Sequence, residues 1–429
     1  MSDAPGDAGA GRKPRIVLGV GGGIAAYKAC EVLRGLTETG HDVRVVPTEA
    51  ALNFVGAATF EALSGHPVHT GVFTEVPEVQ HVRIGREADL VLVVPATADL
   101  LARAAHGLAA DLLTGTLLTA RCPVAFFPAM HTEMWEHPAT SDNVALLRSR
   151  GLFVAEPASG RLTGADTGKG RLADPGEIVE LARLLLAEPA ALPRDLEGTR
   201  VVVTAGGTRE PLDPVRYLGN RSSGRQGYAL ARVAAQRGAE VTLIAGHTAD
   251  LPDPAGVTVR HVSTAEQLRV ATHKAAADAG IVVMAAAVAD FRPVDVAAHK
   301  IKKTDDASAP VITLTRNADI LAELVRDRAP GARRPVIVGF AAETGDEDGS
   351  VLEHGRAKLR RKGADLLVVN AVGDGLAFEV EDNAGWLLAA DGAETPIPLG
   401  SKAQLAVAVW DAVTAFIRHQ GDFPSGSVR

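Results

Sequence analysis

Twice in this chain a β-branched apolar run ends abruptly in glycines, as RIVLGVGGG at residues 15–23 and as VVVTAGG at 201–207. Such runs lack the apolar–polar alternation of a strand with one wet face, so they predict strands buried on both faces, the kind that build parallel sheets. Further runs follow each of them. In the first half these are DVRVVP (42–47), DLVLVVPAT (89–97), PVAFFPAM (123–130) and LFVAEP (152–157), with helical periodicity over 24–38 and 138–149. In the second half they are EVTLIAG (240–246), VTVRHVS (257–263), GIVVMAAAVAD (280–290), VIVGFAAET (336–344) and ADLLVVN (364–370). Strand and helix in alternation imply two tandem α/β domains, each a Rossmann-like, doubly wound parallel sheet. GWLLAADG (385–392) predicts an edge hairpin, 402–418 a closing helix, and the tail GDFPSGSVR a disordered end. A helix at 177–188 and the Pro-containing link EPAALPRDLEG put the domains at 14–190 and 198–420.

A chain of 429 residues has room for both cores, and with aromatics at 4% those cores must be built from Val, Leu, Ala and Ile. The net charge of −8 speaks against nonspecific nucleic-acid binding, so any anion site has to be a local basic pocket. Two distant cysteines, Cys30 and Cys122, exclude a disulfide framework and read as buried thiols in a reducing compartment. The first dozen residues lack the apolar core of a signal peptide, and no apolar run approaches the length of a membrane span. A cytoplasmic protein without membrane partners is expected.

The most chemically loaded stretch is 203–227, VTAGGTREPLDPVRYLGNRSSGRQG. After the Gly206-Gly207 turn it holds Arg209, Arg216, Arg221 and Arg225 with Asn220 and two serines, and a helical pattern begins at Gly227. Fixed positive charge and small hydrogen-bonding side chains at the end of a parallel strand describe an anion site. A plain solvated loop is the alternative, but a structureless loop of this length is usually functional or disordered.

In the first half, GVGGGIAAYK (19–28) matches G-x-G-x-x-A through Gly21, Gly23 and Ala26. A dinucleotide fold wants an acid at the end of the second strand; here Thr48 stands there, with Glu49 one step later. A mononucleotide with one terminal phosphate, such as FMN, fits at least as well. Three more segments are placed after strands: QHVRIGREAD with His81, PATAD (95–99) and PAMHTEMW (128–135). Singly, Thr97 is an ordinary helix cap and His81 a surface histidine. Their grouping favours a ligand site.

GGGIAAYK, HVRIGREAD, PATADLLARAAHGLAADLL and PAM resemble the flavin-dependent cysteine decarboxylases. AGGTREPLDPVRYLGNRSSGRQG, AAAVADFRP, KIKK, GFAAET and AKLRRKGADLLVVN resemble phosphopantothenate–cysteine ligase. Together they resemble the bifunctional coenzyme A biosynthetic family in which phosphopantothenoylcysteine decarboxylase is fused to that ligase, over nearly all of 14–418.

For the first domain the resemblance implies a flavodoxin-like flavoprotein fold with FMN held by Gly21, Gly22, Gly23, Ile24, Thr48, Thr97, Ala98 and Met130, and His81 as catalytic base. The flavin serves as an electron sink by oxidising the cysteinyl thiol, which makes loss of carbon dioxide feasible. Two positions depart from the family. His131, a substrate-binding position, replaces an Asn after PAM. In the flap SGRLTGADTGKGRL (159–172), Gly164 stands where the family carries the cysteine that protonates an enethiol intermediate. Thr163, Asp166, His131 or water then donates the proton, or the reaction stops at the enethiol; completed reduction is the expectation.

For the second domain the resemblance implies activation of 4'-phosphopantothenate by CTP as an acyl-cytidylate, from which the amine of cysteine displaces CMP. Activation of a carboxylate needs a nucleotide pocket, cations around the leaving pyrophosphate and a donor for the oxyanion. AAAVADF (285–291) offers small residues at a strand end, with Asp290 for ribose or Mg2+; KIKK (300–303) offers lysines, although alone it reads as a solvated charge run. The resemblance makes Asn220 and Lys300 catalytic. It places Arg216, Arg221, Ala286, Asp290, Lys300, Asn317, Ala318, Asp319, Ile320, Phe340, Lys358 and Lys362 at substrate or nucleotide positions, Ala318 standing where proline is common. CTP over ATP rests on the resemblance alone. So does the homo-oligomer: trimers with FMN between subunits for the first domain and dimers for the second combine to a dodecamer. Two competing readings are a pair of NAD-type dehydrogenase domains, opposed by the missing strand-end acid and the long Arg-Asn-Ser-Ser segment, and a ligase carrying a non-catalytic or enethiol-releasing flavin domain.

Overall fold

Both glycine-ended runs become inner strands of parallel sheets. The computed structural model describes residues 12–71, 79–162, 166–302, 310–329, 331, 332, 334–343, 349–371 and 382–419. The chain divides into two compact units, 1–191 and 192–429.

The first unit contains β1 (Arg15–Val20), β2 (Asp42–Pro47), β3 (Leu90–Ala96), β4 (Val124–Pro128) and β5 (Phe153–Val154), in the sheet order β2-β1-β3-β4-β5 with every pairing parallel. This is the flavodoxin-like winding. All seven residues of β3 are buried, so no face of it needs a polar side chain. The helices are α1 (Lys28–Glu38), α2 (Ala57–Ser64), α3 (Gln80–Glu87), α4 (Ala98–His106), α5 (Leu112–Thr119), α6 (Thr132–Trp135), α7 (Pro138–Ser149) and α8 (Pro175–Ala187). Ala29, Val32, Leu33 and Leu36 recur at helical spacing on α1 and are buried. Val32, Leu33 and Leu36 each contribute about 1.5–3 kcal/mol by leaving water. A small antiparallel hairpin, β6 (Ala158–Arg161) and β7 (Thr167–Arg171), carries the flap; its tip, with Thr163 and Gly164, lies outside the described residues.

The second unit contains β8 (Arg200–Ala205), β9 (Arg209–Pro211), β10 (Tyr217–Gly219), β11 (Glu240–Ala245), β12 (Val257–His261), β13 (Ile281–Met284), β14 (Phe291–Pro293), β15 (Leu314–Arg316), β16 (Val336–Glu343), β17 (Leu366–Ala371), β18 (Asp382–Ala389) and β19 (Glu394–Ser401). Its main sheet runs β12-β11-β8-β13-β16-β17-β18-β19. The first six strands pair in parallel and the β18–β19 hairpin closes one edge antiparallel. The helices are α9 (Arg225–Gln236), α10 (Ala265–Ala276), α11 (Ile320–Asp327), α12 (Val351–Lys362) and α13 (Lys402–His419). Inside this unit the Arg237 guanidinium, 1% exposed, bridges Asp195 at 2.5 Å and Asp411 of α13 at 2.7 Å. Trp410, fully buried, donates from Nε1 to Leu230 O at 3.0 Å.

The sequence reading needs three corrections. His81 sits in the first turn of α3, which precedes β3, and so does not follow a strand end. Gln80, Ile84 and Gly85 form the buried face of that short helix. Within 203–227, the part after Gly206-Gly207, expected to lack regular structure, folds back on itself as the antiparallel pair β9–β10. Cys30 and Cys122 are free and partly exposed, with burial pushing both thiols up. The expected disordered tail lies outside the described residues.

Candidate active sites

In the first unit the order β2-β1-β3 makes a switch point between β1 and β3, where ligands of open α/β sheets bind. A cleft of about 720 Å3 opens there, lined by Gly22, Gly23, Ile24, Thr48, Glu49, Thr97, Ala98, Met130 and His131, together with Ala50 and Asp111 that the sequence did not single out. The glycines are required by close approach. A Cβ on Gly21 would lie 2.5 Å from Pro95 O, and one on Gly22 would lie 2.3 Å from Ala50 Cβ. At Gly23 a Cβ meets only Thr97 Cγ2, at 3.7 Å, so this backbone faces the cleft. Thr97 Oγ1 accepts from Leu100 N at 3.3 Å and caps α4, while Thr48 N is tied to Val20 O at 2.9 Å. A glycine-lined floor with hydroxyls at the ends of β2 and β3, on either side of β1, fits a mononucleotide phosphate and its polyol.

The PAM segment lies under the flap hairpin, with Met130 N donating to Gly170 O at 2.9 Å. His131 Nδ1 stands 3.9 Å from the Asp166 carboxylate. His81 is not among the residues lining the cleft. It packs on α5, where Gly115 leaves room for the ring, and its backbone oxygen accepts from Thr119 Oγ1 at 2.7 Å. Its Nδ1 is buried and makes no hydrogen bond among the described residues.

In the second unit the switch point lies between β8 and β13, whose ends lead into the 205–224 and 285–290 segments. Four contacts lock the two segments together. Thr208 Oγ1 accepts from Ala289 N at 2.9 Å, Thr204 Oγ1 accepts from Ala286 N at 3.1 Å, Ala287 N donates to Gly206 O at 2.8 Å, and Asn220 Nδ2 donates to Val288 O at 2.9 Å. Thr204 and Thr208 are fully buried and escaped the sequence reading, because nothing local marks a threonine as a loop tie. Asp290 is exposed, and its carbonyl accepts from Asn317 N at 2.8 Å. Asn317 Nδ2 donates to Ala289 O at 2.8 Å, so the NADI segment abuts the same mouth. Asn220, Ala286, Asp290 and Asn317 are therefore brought together. Arg221 is exposed on the Asn220 loop, Phe340 is half-buried on β16, and Ile320 is buried behind the site.

Three of the expected cations, Lys358, Lys362 and Arg216, are engaged with carboxylates. Lys358 Nζ donates to Glu343 at 2.7 Å, and Lys362 pairs with Asp319, the N-cap of α11. Burial works against the Asp319 charge, but Lys362 and the Ala322 amide hold its carboxyl below the usual range. Arg216, expected to bind substrate, places Nε 2.9 Å and Nη2 2.6 Å from Asp213 Oδ2. The Asp213 side chain is completely buried. Burial disfavours its charge, yet Arg216 and the amides of Val215, Ile301 and Arg216 hold the carboxyl well below the usual carboxylate range. Among the described residues no cluster of three or more His, Cys, Asp or Glu is arranged to hold a metal ion.

The family model of the DNA/pantothenate metabolism flavoprotein C-terminal domain matches residues 196–417, and the Flavoprotein model matches 8–186. The coenzyme A biosynthesis bifunctional protein CoaBC of Mycolicibacterium smegmatis is 67% identical over 411 residues, covering 95% of this chain and 99% of the relative. The chain belongs to the CoaBC family. CoaBC of Mycobacterium tuberculosis is 66% identical over 94% of this chain and 97% of its own length, and CoaBC of Vibrio vulnificus is 42% identical over 96% and 99%. As a member of the CoaBC family it is a bifunctional enzyme of coenzyme A biosynthesis, with decarboxylase and ligase activities, and the two tandem α/β units agree with that organisation. Among the described residues no helix is long and apolar enough to cross a membrane.

Proposed function

We propose that the second unit ligates cysteine to 4'-phosphopantothenate through an acyl-cytidylate made from CTP, and that the first unit decarboxylates the resulting 4'-phosphopantothenoylcysteine with FMN. The observation that carries the ligase reading is the pinning of Asn220 and Asp290 into one mouth at the β8–β13 switch point. In this reading Asn220 hydrogen-bonds the activated carboxyl, the Arg221 loop faces the substrate's phosphate, and Lys300 steadies the charge of the departing pyrophosphate. An exposed Asp290 suits Mg2+, which keeps most of its waters and arrives with a triphosphate. Lys358 and Lys362 reach nucleotide phosphates by exchanging their present carboxylate partners.

In the first unit, Gly21 to Ile24 with Thr48, Thr97, Ala98 and Met130 would hold FMN. When bound, FMN supplies the electron sink that decarboxylation of an aliphatic acid requires. His81 accepts the proton, its imidazole reaching a cleft through assembly of a homo-oligomer, because it does not line the cleft of its own copy. His131, which lines the cleft, and Asp166 beside it are described groups able to return a proton in place of the flap cysteine. The enzyme acts in the cytoplasm.

Incubation with 4'-phosphopantothenate, cysteine, CTP and Mg2+, followed by mass spectrometry, tests the whole reading. The expected product is 4'-phosphopantetheine. A product lighter by two hydrogens would mean an enethiol-releasing flavin domain, and accumulation of 4'-phosphopantothenoylcysteine a non-catalytic one. Equal turnover with ATP would remove the cytidine preference.

A further inference from the structure

The buried carboxylate of Asp213 is out of proportion to an ordinary loop contact. It accepts five hydrogen bonds. Val215 N and Arg216 N reach Oδ1 at 2.8 Å each, and Oδ2 takes Arg216 Nε at 2.9 Å, Arg216 Nη2 at 2.6 Å and Ile301 N at 3.1 Å. The same Arg216 Nη2 donates to Ile301 O at 2.7 Å. Ile301 is thus caught at both its N–H and its C=O by one ion pair from a segment 85 residues away. A further rung, Ala297 N to Leu212 O at 3.0 Å, aligns the two segments. The Ile301 amide belongs to the peptide bond it shares with Lys300, so fixing that amide fixes the peptide plane from which the Lys300 side chain departs.

We propose that Asp213 is a positioning residue for the ligase reaction. Through Arg216 and the Ile301 peptide it docks the Lys300 segment onto the loop that presents Asn220, so that one 203–227 segment sets both groups. This rests on the reading of Lys300 as a catalytic residue. A half-exposed Arg216 pairing with a surface carboxylate would contribute little. Here the carboxylate has no access to water and the donors outnumber its oxygens, so the arrangement is preorganised before any substrate binds. It also accounts for Arg216 lying among substrate-type residues while its guanidinium is turned to Asp213 and Ile301.

The test compares Lys300→Gln, Asp213→Asn and Ile301→Pro in the full-length enzyme, following CTP-dependent acyl-cytidylate formation and ligation. Circular dichroism and cooperative thermal unfolding of the ligase unit serve as the folding control, and decarboxylation of supplied 4'-phosphopantothenoylcysteine shows that the first unit is intact. Asp213→Asn should lower the ligase kcat by about 100-fold, the cost of displacing a reacting group by about an ångström, while the KM for 4'-phosphopantothenate changes by less than about threefold. Ile301→Pro removes the amide that Asp213 holds without altering the 212–216 turn and should lower kcat likewise; it carries the test if Asp213→Asn does not fold. Normal kcat in either folded variant, or a KM that rises while kcat holds, overturns the positioning role. Normal ligation by Lys300→Gln instead overturns the catalytic reading on which it stands.

Discussion

A methyl group at Gly23 separates ligand binding from packing. Gly23 has φ −160° and ψ 164°, an extended conformation open to any residue. A Cβ there meets nothing nearer than 3.7 Å, ordinary van der Waals contact. Gly23→Ala should therefore leave the stability of the flavin-free enzyme within about 0.5 kcal/mol, as at an unconstrained surface site. The added methyl projects into the cleft that would receive the flavin phosphate. Losing one or two amide contacts to that anion costs about 1.5–3 kcal/mol, roughly a ten- to hundredfold rise in Kd. Gly22→Ala is the counterpart: its Cβ would come within 2.3 Å of Ala50 Cβ and 2.8 Å of the Ala50 carbonyl carbon, so the cleft walls must part. That overpacking should cost about 1–3 kcal/mol of stability as well as affinity. Flavin-fluorescence titration and thermal unfolding of the flavin-free proteins give both quantities. Wild-type FMN affinity in Gly23→Ala, or early unfolding of that variant to match Gly22→Ala, would refute the cradle.

His81→Asn should slow carbon dioxide release about 1000-fold while ligation and FMN retention persist, and undiminished release would remove His81 from the chemistry. Arg237→Ala strips a buried guanidinium from Asp195 and Asp411 and should destabilise the second unit by about 3–5 kcal/mol in denaturant unfolding; a loss under about 1 kcal/mol would contradict its burial. The Asp213 carboxyl is depressed in the folded chain, so on acidification the unfolded chain takes up this proton first. Its contribution is complete above its ordinary value of 3.8 and fades as the pH falls below it, towards the folded value. Asp213→Asn should consequently flatten the acid limb of the ligase unit's unfolding below about pH 4, and an unchanged limb in circular dichroism would assign the acid sensitivity elsewhere.

The sheets were readable because strands such as Val91–Val94 are continuously apolar, which only burial on both faces explains. The glycine floor was readable for a related reason, since a missing side chain at a strand end has few other uses. His81 was misplaced because it begins a short helix, Gln80–Glu87, that follows α2 in chain order, and nothing in the residues around it reveals that order. Asp213 went unnoticed for a different reason. Its spacing to Arg216 looks like any i,i+3 surface pair, and its significance comes from Ile301, 88 residues on. The lysines expected to meet nucleotide were recognisable by type, but their partners Glu343 and Asp319 follow from tertiary placement of β16 and α11.

The Arg237 cluster has a consequence beyond stability. Asp195 lies near the start of the second unit, Asp411 and Arg418 lie on its last helix, and Arg418 reaches Asp195 at 3.4 Å. The unit's beginning and end are thus clasped at one point around a single buried cation. A fold whose ends meet behaves as a cassette: it can be excised, permuted or appended to another coding sequence without opening its core. Joining such a unit to another in one polypeptide then demands only a short connector, attached where its two ends already meet.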